Sequence, residues 1–275
     1  MYQSMKHSAF MMFPSLTNGL RAIKHLVAER QFRPYVARQF HGNYRLHVAI
    51  EDKIAKEWYA KDTQTPHEFP LLSGRGLNRD GLVFDLGAHQ GVIAMMLAKE
   101  VGPKGKVIAV EAALRNAELA ARNVAMNAIQ NVVVRHAAVV KEDGPVLFTQ
   151  RENGAIARNE KEFRAASVEG VSIDTLLQAY GVPDLVYMDI EGFEVEALRG
   201  AVNTLASKTS WFIEIHGDDI IGQYGGTNSN VVEFFRDGYD LYSAIDNETD
   251  TFLPLEKGAA LPKGRFFLAA IPQQQ

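Results

Sequence analysis

The stretch from Gly81 to Ala112, GLVFDLGAHQGVIAMMLAKEVGPKGKVIAVEA, constrains the fold more than any other part of this sequence. Its first apolar run, GLVFDLG, has the length of a buried strand and ends in an acid and a glycine. GVIAMMLAKEVG then has the length and spacing of a helix and stops at Gly102-Pro103, and KVIAVEA is a second buried run. Two buried strands with a helix between them make a β-α-β unit, whose parallel strands need cover on both faces.

The alternation continues downstream. A helix is expected with Leu114, Ala117, Ala121, Val124 and Ala128 on one stripe and Glu118 paired with Arg122 on the other side. NVVVRHAAVV reads as a strand, KEDGPVLFTQ as a hairpin continuation around Asp143-Gly144, and SIDTLLQAYG as a capped helix. DLVYMDIEG at 184–192 is the fourth strand, followed by a helix with Leu198, Ala201 and Leu205 facing inward. WFIEIH is a fifth strand, VVEFFRDG a short helix, and DLYSAID and GRFFLAAI two closing strands. The fold class is therefore α/β, a doubly wound, mostly parallel sheet. Residues 76–275 form the main domain, and residues 1–75 a helical or mixed extension that acts as a substrate cap or an interface.

Composition narrows the chemistry. At 47% apolar residues the chain buries a sizeable core. It contains no cysteine, which removes disulfides, thiolate metal sites and cysteine nucleophiles and fits a reducing compartment. AFMMFP is too short for a signal-peptide core, and no run approaches the roughly 18 apolar residues of a spanning helix, so a cytoplasmic protein is expected. The first 50 residues hold seven Lys/Arg and one acid, Glu29, against 22 basic and 32 acidic residues afterwards. Such a leader is either the exposed face of a helix or a surface for anions.

Ligands of open α/β sheets bind beyond the carboxyl ends of the strands. The polar residues there are Asp85 with Gly87 and Gly91, then Glu111, then Asp189 and Glu191, then Glu214, His216 and Asp218. Glu111 follows the second glycine by the spacing at which nucleotide-binding folds hold ribose hydroxyls. A dinucleotide fold has G-x-G-x-x-G; this chain has D-x-G-x-x-x-G, with His89 in place of a middle glycine. Asp85 repels a pyrophosphate and attracts an ammonium group. S-Adenosylmethionine, which carries an amino group, a sulfonium and a ribose without phosphate, is the expected cofactor. The expected seat comprises Asp85, Gly87, Ala88, His89, Gln90, Gly91, Glu111, Ala112, Ala138 and Asp189.

VFDLGAHQG, VIAVEA, NVAMNAIQNVVVRHAAV, VSIDTLL and LVYMDIEGFEVEALRGA resemble the successive motifs of the FkbM-type methyltransferases, a Rossmann-like class I branch, over residues 80 to 217. The resemblance implies a seven-stranded sheet with its last strand antiparallel, and O-methylation of a hydroxyl on a small molecule of sugar or natural-product type. His89 stands where the family often has asparagine, and Ala112 where proline is common.

His216, Asp189 and Glu191 are the expected catalytic residues, with His216 first as general base because imidazole titrates nearest neutral pH. No metal is assigned; the alternative is Mg²⁺ on Asp189, Glu191 and Asp218 or Asp219. Glu194 is read as an acid favouring a helix N-terminus. Trp58 and Tyr59 either stack on a sugar face or pack in the core, and YGGTNSN at 224–230 is either a loop over the site or a plain connection. His7, His25, His41 and His47 show no ligand spacing. Competing functions are methylation of a protein or nucleic acid, suggested by the basic leader, and nicotinamide-dependent oxidation, disfavoured by the glycine spacing; a non-catalytic cofactor-binding protein is the fourth. MDIEG occupies the place of the D/N-P-P-Y loop of nitrogen methylases, so no nucleic-acid partner is expected, and a homo-oligomer is left open.

Overall fold

The apolar runs become strands, and their period of two divides them between two packed faces. In the computed structural model, residues 32–149, 156, 165–246 and 250–273 are described; His7, His25 and most of the basic leader lie outside them. The central sheet contains β3 (Leu82–Leu86), β4 (Lys106–Glu111), β5 (Val132–His136), β9 (Leu185–Met188), β10 (Ser210–Ile215), β11 (Tyr239–Ala244), β13 (Phe266–Pro272) and a two-residue β12 (Leu253–Pro254), in the order β12-β11-β13-β10-β9-β3-β4-β5. Strands β5, β4, β3, β9 and β10 run parallel, and β13 is antiparallel to both β10 and β11. This is the expected mostly parallel sheet with its last long strand, β13, antiparallel, and β12 added as an eighth strand on the outer edge.

The hairpin of β1 (Tyr35–His41) and β2 (Tyr44–Ile50) packs over one face with α1 (Lys53–Tyr59) and α2 (Glu68–Leu72). Leu46, Val48 and Ile50 join Met95 and Leu97 of α3 (Val92–Val101) against Val83, Tyr187 and Phe212 of the sheet. The other face carries Phe84, Leu86, Val186, Met188, Trp211 and Ile213, covered by α5 (Ile173–Tyr180), α6 (Glu194–Arg199) and α9 (Asn228–Glu233). Alternation therefore turns Asp85, Tyr187 and Glu214 toward the face that the N-terminal hairpin covers.

Three local expectations change. NVVVRHAAVV breaks at Ala137, whose N–H donates to the Glu111 carbonyl. The chain then leaves the main sheet as β6 (Ala138–Val139), which pairs with β8 (Ala165–Val171); β7 (Gly144–Thr149) lies against β8 on the other side. In α4 (Leu114–Met126) the inner stripe is displaced: Leu114 and Ala121 are exposed, while Asn116, Ala117, Leu119, Ala120, Asn123 and Val124 are buried. Asn123 is tolerated there because it accepts from Ala49 N–H at 2.8 Å and donates to the Gln90 carbonyl at 2.9 Å, and Asn127 bonds both backbone groups of His47. Arg122 pairs with Glu51 of the extension rather than with Glu118. The remaining helix between β9 and β10 is split into α6 and α7 (Val202–Ala206), and α8 (Asp218–Ile221) follows β10.

Candidate active site

The strand β3 ends in a turn that brings backbone against backbone. A Cβ on Gly87 would stand 1.6 Å from the Asp189 carbonyl oxygen, so only glycine fits where β3 and β9 deliver their last residues side by side. Gly91, at φ 78°, opens α3. Between them His89 adopts φ 46°, and across the site Glu191 adopts φ 54°; both are non-glycine residues in the left-handed region.

The loop's N–H groups point inward. Gly87 and Ala88 donate to the Val110 carbonyl at 2.9 and 3.0 Å, His89 donates to Glu111 Oε2 at 2.8 Å, and Gly91 donates to the Ala88 carbonyl at 2.8 Å. These four donors are engaged within the protein, so they do not form a phosphate cradle. An acid lies beside them instead. Asp85 is buried, and its Oδ2 has no hydrogen-bond partner among the described residues. Burial first, and then the charge of Glu111, push its carboxyl up to about 7. An orphaned buried carboxyl fits a ligand that brings a cationic amino group.

Glu111 ends β4 with its second oxygen accepting from Ala113 N–H at 2.7 Å. Burial pushes its carboxyl up to about 7 against the backbone N–H groups of Ala113, His89 and Ala112, which favour the ionised form. It lines a cavity of about 80 Å³ with Ala112, Asn116, Ala138, Phe148 and Phe193. A second cavity of about 620 Å³ holds Asp85, Ala88, Tyr59, Tyr187, Glu214 and Arg265. Trp58, Gly87, His89 and Asp189 line both. Gln90 faces neither; it is fully buried and donates to Asp52 Oδ2 at 3.3 Å, so its part is to anchor the loop. A larger cavity of about 750 Å³ lies at the β11–β12 edge and includes none of these residues.

His216 stands within a ring of carboxylates. Its Nδ1 lies 2.7 Å from Glu194 Oε1, and its Nε2 lies 3.4 Å from Asp189, 3.5 Å from Glu191 and 3.8 Å from Glu214. Burial opposes the imidazolium, but the Glu194 hydrogen bond and the charges of Glu194, Asp189 and Glu214 lift its pKa to about 10. The imidazole near neutrality that the sequence suggested is thus a charged imidazolium. Burial raises Asp189 well above the usual carboxylate range, with the charge of Glu214 adding to it, and burial raises Glu191 as well. Arg265, on the approach to β13, donates to Glu214 Oε1 at 2.8 Å.

Other candidates fall into place around this ring. Glu194 is fully buried and also accepts from Gly192 N–H at 3.0 Å, so it fixes the turn and the histidine rather than serving as a solvated helix-end acid. Asp218 accepts from Asn228 N–H at 2.8 Å, and among the described residues the cluster within metal-sharing distance is Asp189, Glu214 and His216, without Asp218 or Asp219. YGGTNSN is ordered by the Thr227 cap on Asn230 N–H, and Tyr224 meets the Phe193 ring edge-on at 5.1 Å. Tyr59 is drawn to the loop: its hydroxyl shares a 2.8 Å hydrogen bond with His89 Nδ1. Sequence reading passed over that link, Asp52 and Arg265, because no period or motif joins residues separated by 30 positions or more.

A profile of the methyltransferase FkbM domain matches residues 85–240, more than half of the chain, beginning at Asp85 itself. No curated protein matches the sequence. In shape the chain is similar to a methyltransferase FkbM from Methylobacillus flagellatus KT, at 16% identity over 70% of this chain and 44% of that one, with a TM-score of 0.45. It therefore spans less than half the length of that protein. It is similar also to a SAM-dependent methyltransferase from Aquifex aeolicus (16% identity, 81% and 94% covered, TM-score 0.43) and to a SAM-dependent O-methyltransferase from Thermotoga maritima (10% identity, 88% and 78% covered, TM-score 0.44). Because the profile spans the loop, the Glu111 strand end and the carboxylate ring, the chain belongs to the FkbM methyltransferase family.

Proposed function

We propose that this methyltransferase acts on a hydroxyl of a small molecule, of sugar or natural-product type. The observation that carries the reading is the cavity of about 620 Å³ that joins the glycine loop to the carboxylates Asp189 and Glu214. Its size is that of a small-molecule site, in the range of about 300–1,000 Å³. A hydroxyl loses its proton as it is alkylated, and basic carboxylates at the cavity wall supply the acceptor.

In this reading Asp85 pairs with the amino group of the cofactor, Glu111 accepts from the ribose hydroxyls, and Ala112 and Ala138 border the adenine end. S-Adenosylmethionine supplies an electrophilic methyl group on a sulfonium. The acceptor oxygen attacks in line, and alignment by the cavity walls is the larger part of catalysis, worth up to about 7–11 kcal/mol in well-oriented reactions. The hydroxyl proton passes to Asp189, with Glu191 beside it. His216, already protonated and held by Glu194, is a positioning residue: its charge opposes the burial that raises Asp189 and Glu191. Residues 35–75, which roof the cavity, serve as the acceptor cap.

The test is incubation of the protein with methyl-labelled S-adenosylmethionine and a pool of hydroxylated metabolites, read by mass spectrometry. Label on the oxygen of a small molecule is the expected result. Transfer confined to protein or nucleic acid, or to nitrogen, overturns the reading.

A further inference from the structure

We infer that Trp58, outside the matched domain, is the aromatic wall against which the sulfonium of the methyl donor binds, so that this side chain selects the charged donor over its neutral product. The inference rests on the seat for the cofactor proposed above.

The argument begins with the two cavities. Glu111 lines the smaller and Asp85 the larger. A ligand whose ribose meets the first acid and whose amino group meets the second must pass between the four residues common to both cavities, Trp58, Gly87, His89 and Asp189. The sulfur of S-adenosylmethionine lies between its ribose and its amino acid, so it falls at this passage. Gly87 offers no side chain, and Asp189 supplies a carboxylate on one wall. The indole at the passage is that of Trp58, 39% exposed, whose ring centroid lies 5.3 Å from that of His89 at a tilt of 54°. Indole is the strongest of the aromatic partners for a cation, and desolvation in a cleft strengthens the attraction.

The helix that carries Trp58 is bolted to the loop it faces. Asp52 caps α1 by accepting from Ala55 N–H at 2.7 Å, and its other oxygen receives Gln90 Nε2. At the far end of the helix Tyr59 holds His89. Consecutive loop residues are thus fixed from both ends of one helix, and the indole is set over the passage by the same two contacts. The helix that presents the indole, residues 53–59, lies outside the stretch 85–240 that the family profile covers, although the two loop residues that hold it, His89 and Gln90, lie inside.

Calorimetry without any methyl acceptor tests the inference on the full chain, with S-adenosylmethionine as the sulfonium, sinefungin as an ammonium-bearing analogue and S-adenosylhomocysteine as the neutral thioether. In Trp58→Leu the affinity for both cationic ligands is expected to fall about tenfold further than that for S-adenosylhomocysteine, and in Trp58→Phe by a smaller factor. Circular dichroism and melting establish that both variants are folded, and Trp58→Phe carries the test if the leucine variant is not. Equal losses for all three ligands, or unchanged ratios, overturn the inference and show Trp58 to be a packing residue. Failure of the seat itself gives a different signature: Asp85→Asn and Glu111→Gln would then bind S-adenosylmethionine as the wild type does.

Discussion

Replacing Asp85 by asparagine separates stability from binding at a single buried atom. In the unfolded chain this carboxyl ionises near 3.8, whereas in the folded protein burial and Glu111 hold its proton up to about 7. The folded state therefore binds the proton more tightly, and its advantage is complete below pH 3.8 and lost as pH rises toward 7. At about 1.4 kcal/mol per pH unit, this displacement costs the folded state about 4 kcal/mol above neutrality. Asparagine removes that cost but brings an amide N–H₂ that must find an acceptor, returning about 1–3 kcal/mol if it does not. The ligand-free variant is expected to be more stable than the wild type by about 1–3 kcal/mol at pH 8.5, with the gap closing as pH falls toward 4.

Binding moves the other way. A carboxylate and an ammonium about 4 Å apart attract by about 4 kcal/mol at an effective dielectric of 20, and desolvation takes back part of that. A loss of about 2–3 kcal/mol in the variant corresponds to a dissociation constant for S-adenosylmethionine raised roughly 30- to 150-fold. Wild-type affinity should rise with pH up to about 7 and level off, while that of the variant changes less over this range. Urea unfolding from pH 4 to 9, with calorimetric titration over the stable part of that range, measures both quantities. Wild-type stability that does not decline between pH 4 and 7, together with an asparagine variant that keeps its affinity, would refute the reasoning.

Glu111→Gln keeps one acceptor oxygen for two backbone donors, His89 and Ala113 N–H, so it should lower stability by about 1–3 kcal/mol and weaken S-adenosylmethionine binding at least tenfold; unchanged affinity in calorimetry removes the ribose role. Gly87→Ala forces a methyl group onto the Asp189 carbonyl and should abolish cofactor binding, if the chain folds, whereas Gly222→Ala, whose Cβ meets no atom within 4 Å, should leave the melting temperature within a few degrees of the wild type. Once an acceptor is known, Asp189→Asn should reduce kcat about 10²- to 10⁴-fold. His216→Gln, by removing the imidazolium, should raise the apparent pKa of the acidic limb of the pH–rate profile; a profile superimposable on the wild type would separate His216 from the proton transfer.

The parts of this fold that were legible in the sequence are those where one physical demand dominates. Strands buried on both faces leave uninterrupted apolar runs, and Gly87, Gly102 and Gly181 mark the ends of strand and helices because few other residues accept their backbone angles. The list of acids at the strand ends followed from topology alone. What stayed hidden depends on contacts remote in sequence. β8 mixes small, polar and apolar residues without a regular alternation and gains its place by pairing with β6 and β7, so no period announces it. The inner face of α4 includes Asn116 and Asn123, which an apolar stripe cannot predict; Asn123 is buried because the hairpin's backbone and the Gln90 carbonyl satisfy it. Charge state was hidden as well: His216 follows the end of β10, but the group that holds its Nδ1 is Glu194, 22 positions earlier at the start of α6.

Several departures from local rules meet where β3 and β9 end, and their meeting there is itself an argument about function. His89 and Glu191 occupy left-handed backbone at about 1–3 kcal/mol each, Asp85 is buried with an unpaired oxygen, and Gly87 and Asp189 approach at a distance no side chain survives. All belong to two strand ends, those of β3 and β9, and the loops that follow them, while the core clusters on either side are built of apolar side chains. A sequence selected for stability alone would replace Asp85 with a neutral residue and His89 with glycine or asparagine. The costs are of a kind that a ligand relieves: an ammonium gives Asp85 its missing partner, and ribose hydroxyls can reach Glu111 without disturbing the loop N–H groups it already holds. The strain is fixed in advance by α1 and Asn123, so the loop needs little reorganisation when the donor binds. Preorganisation of this kind converts instability in the free enzyme into alignment of the methyl group, which is the term on which this transfer chiefly depends.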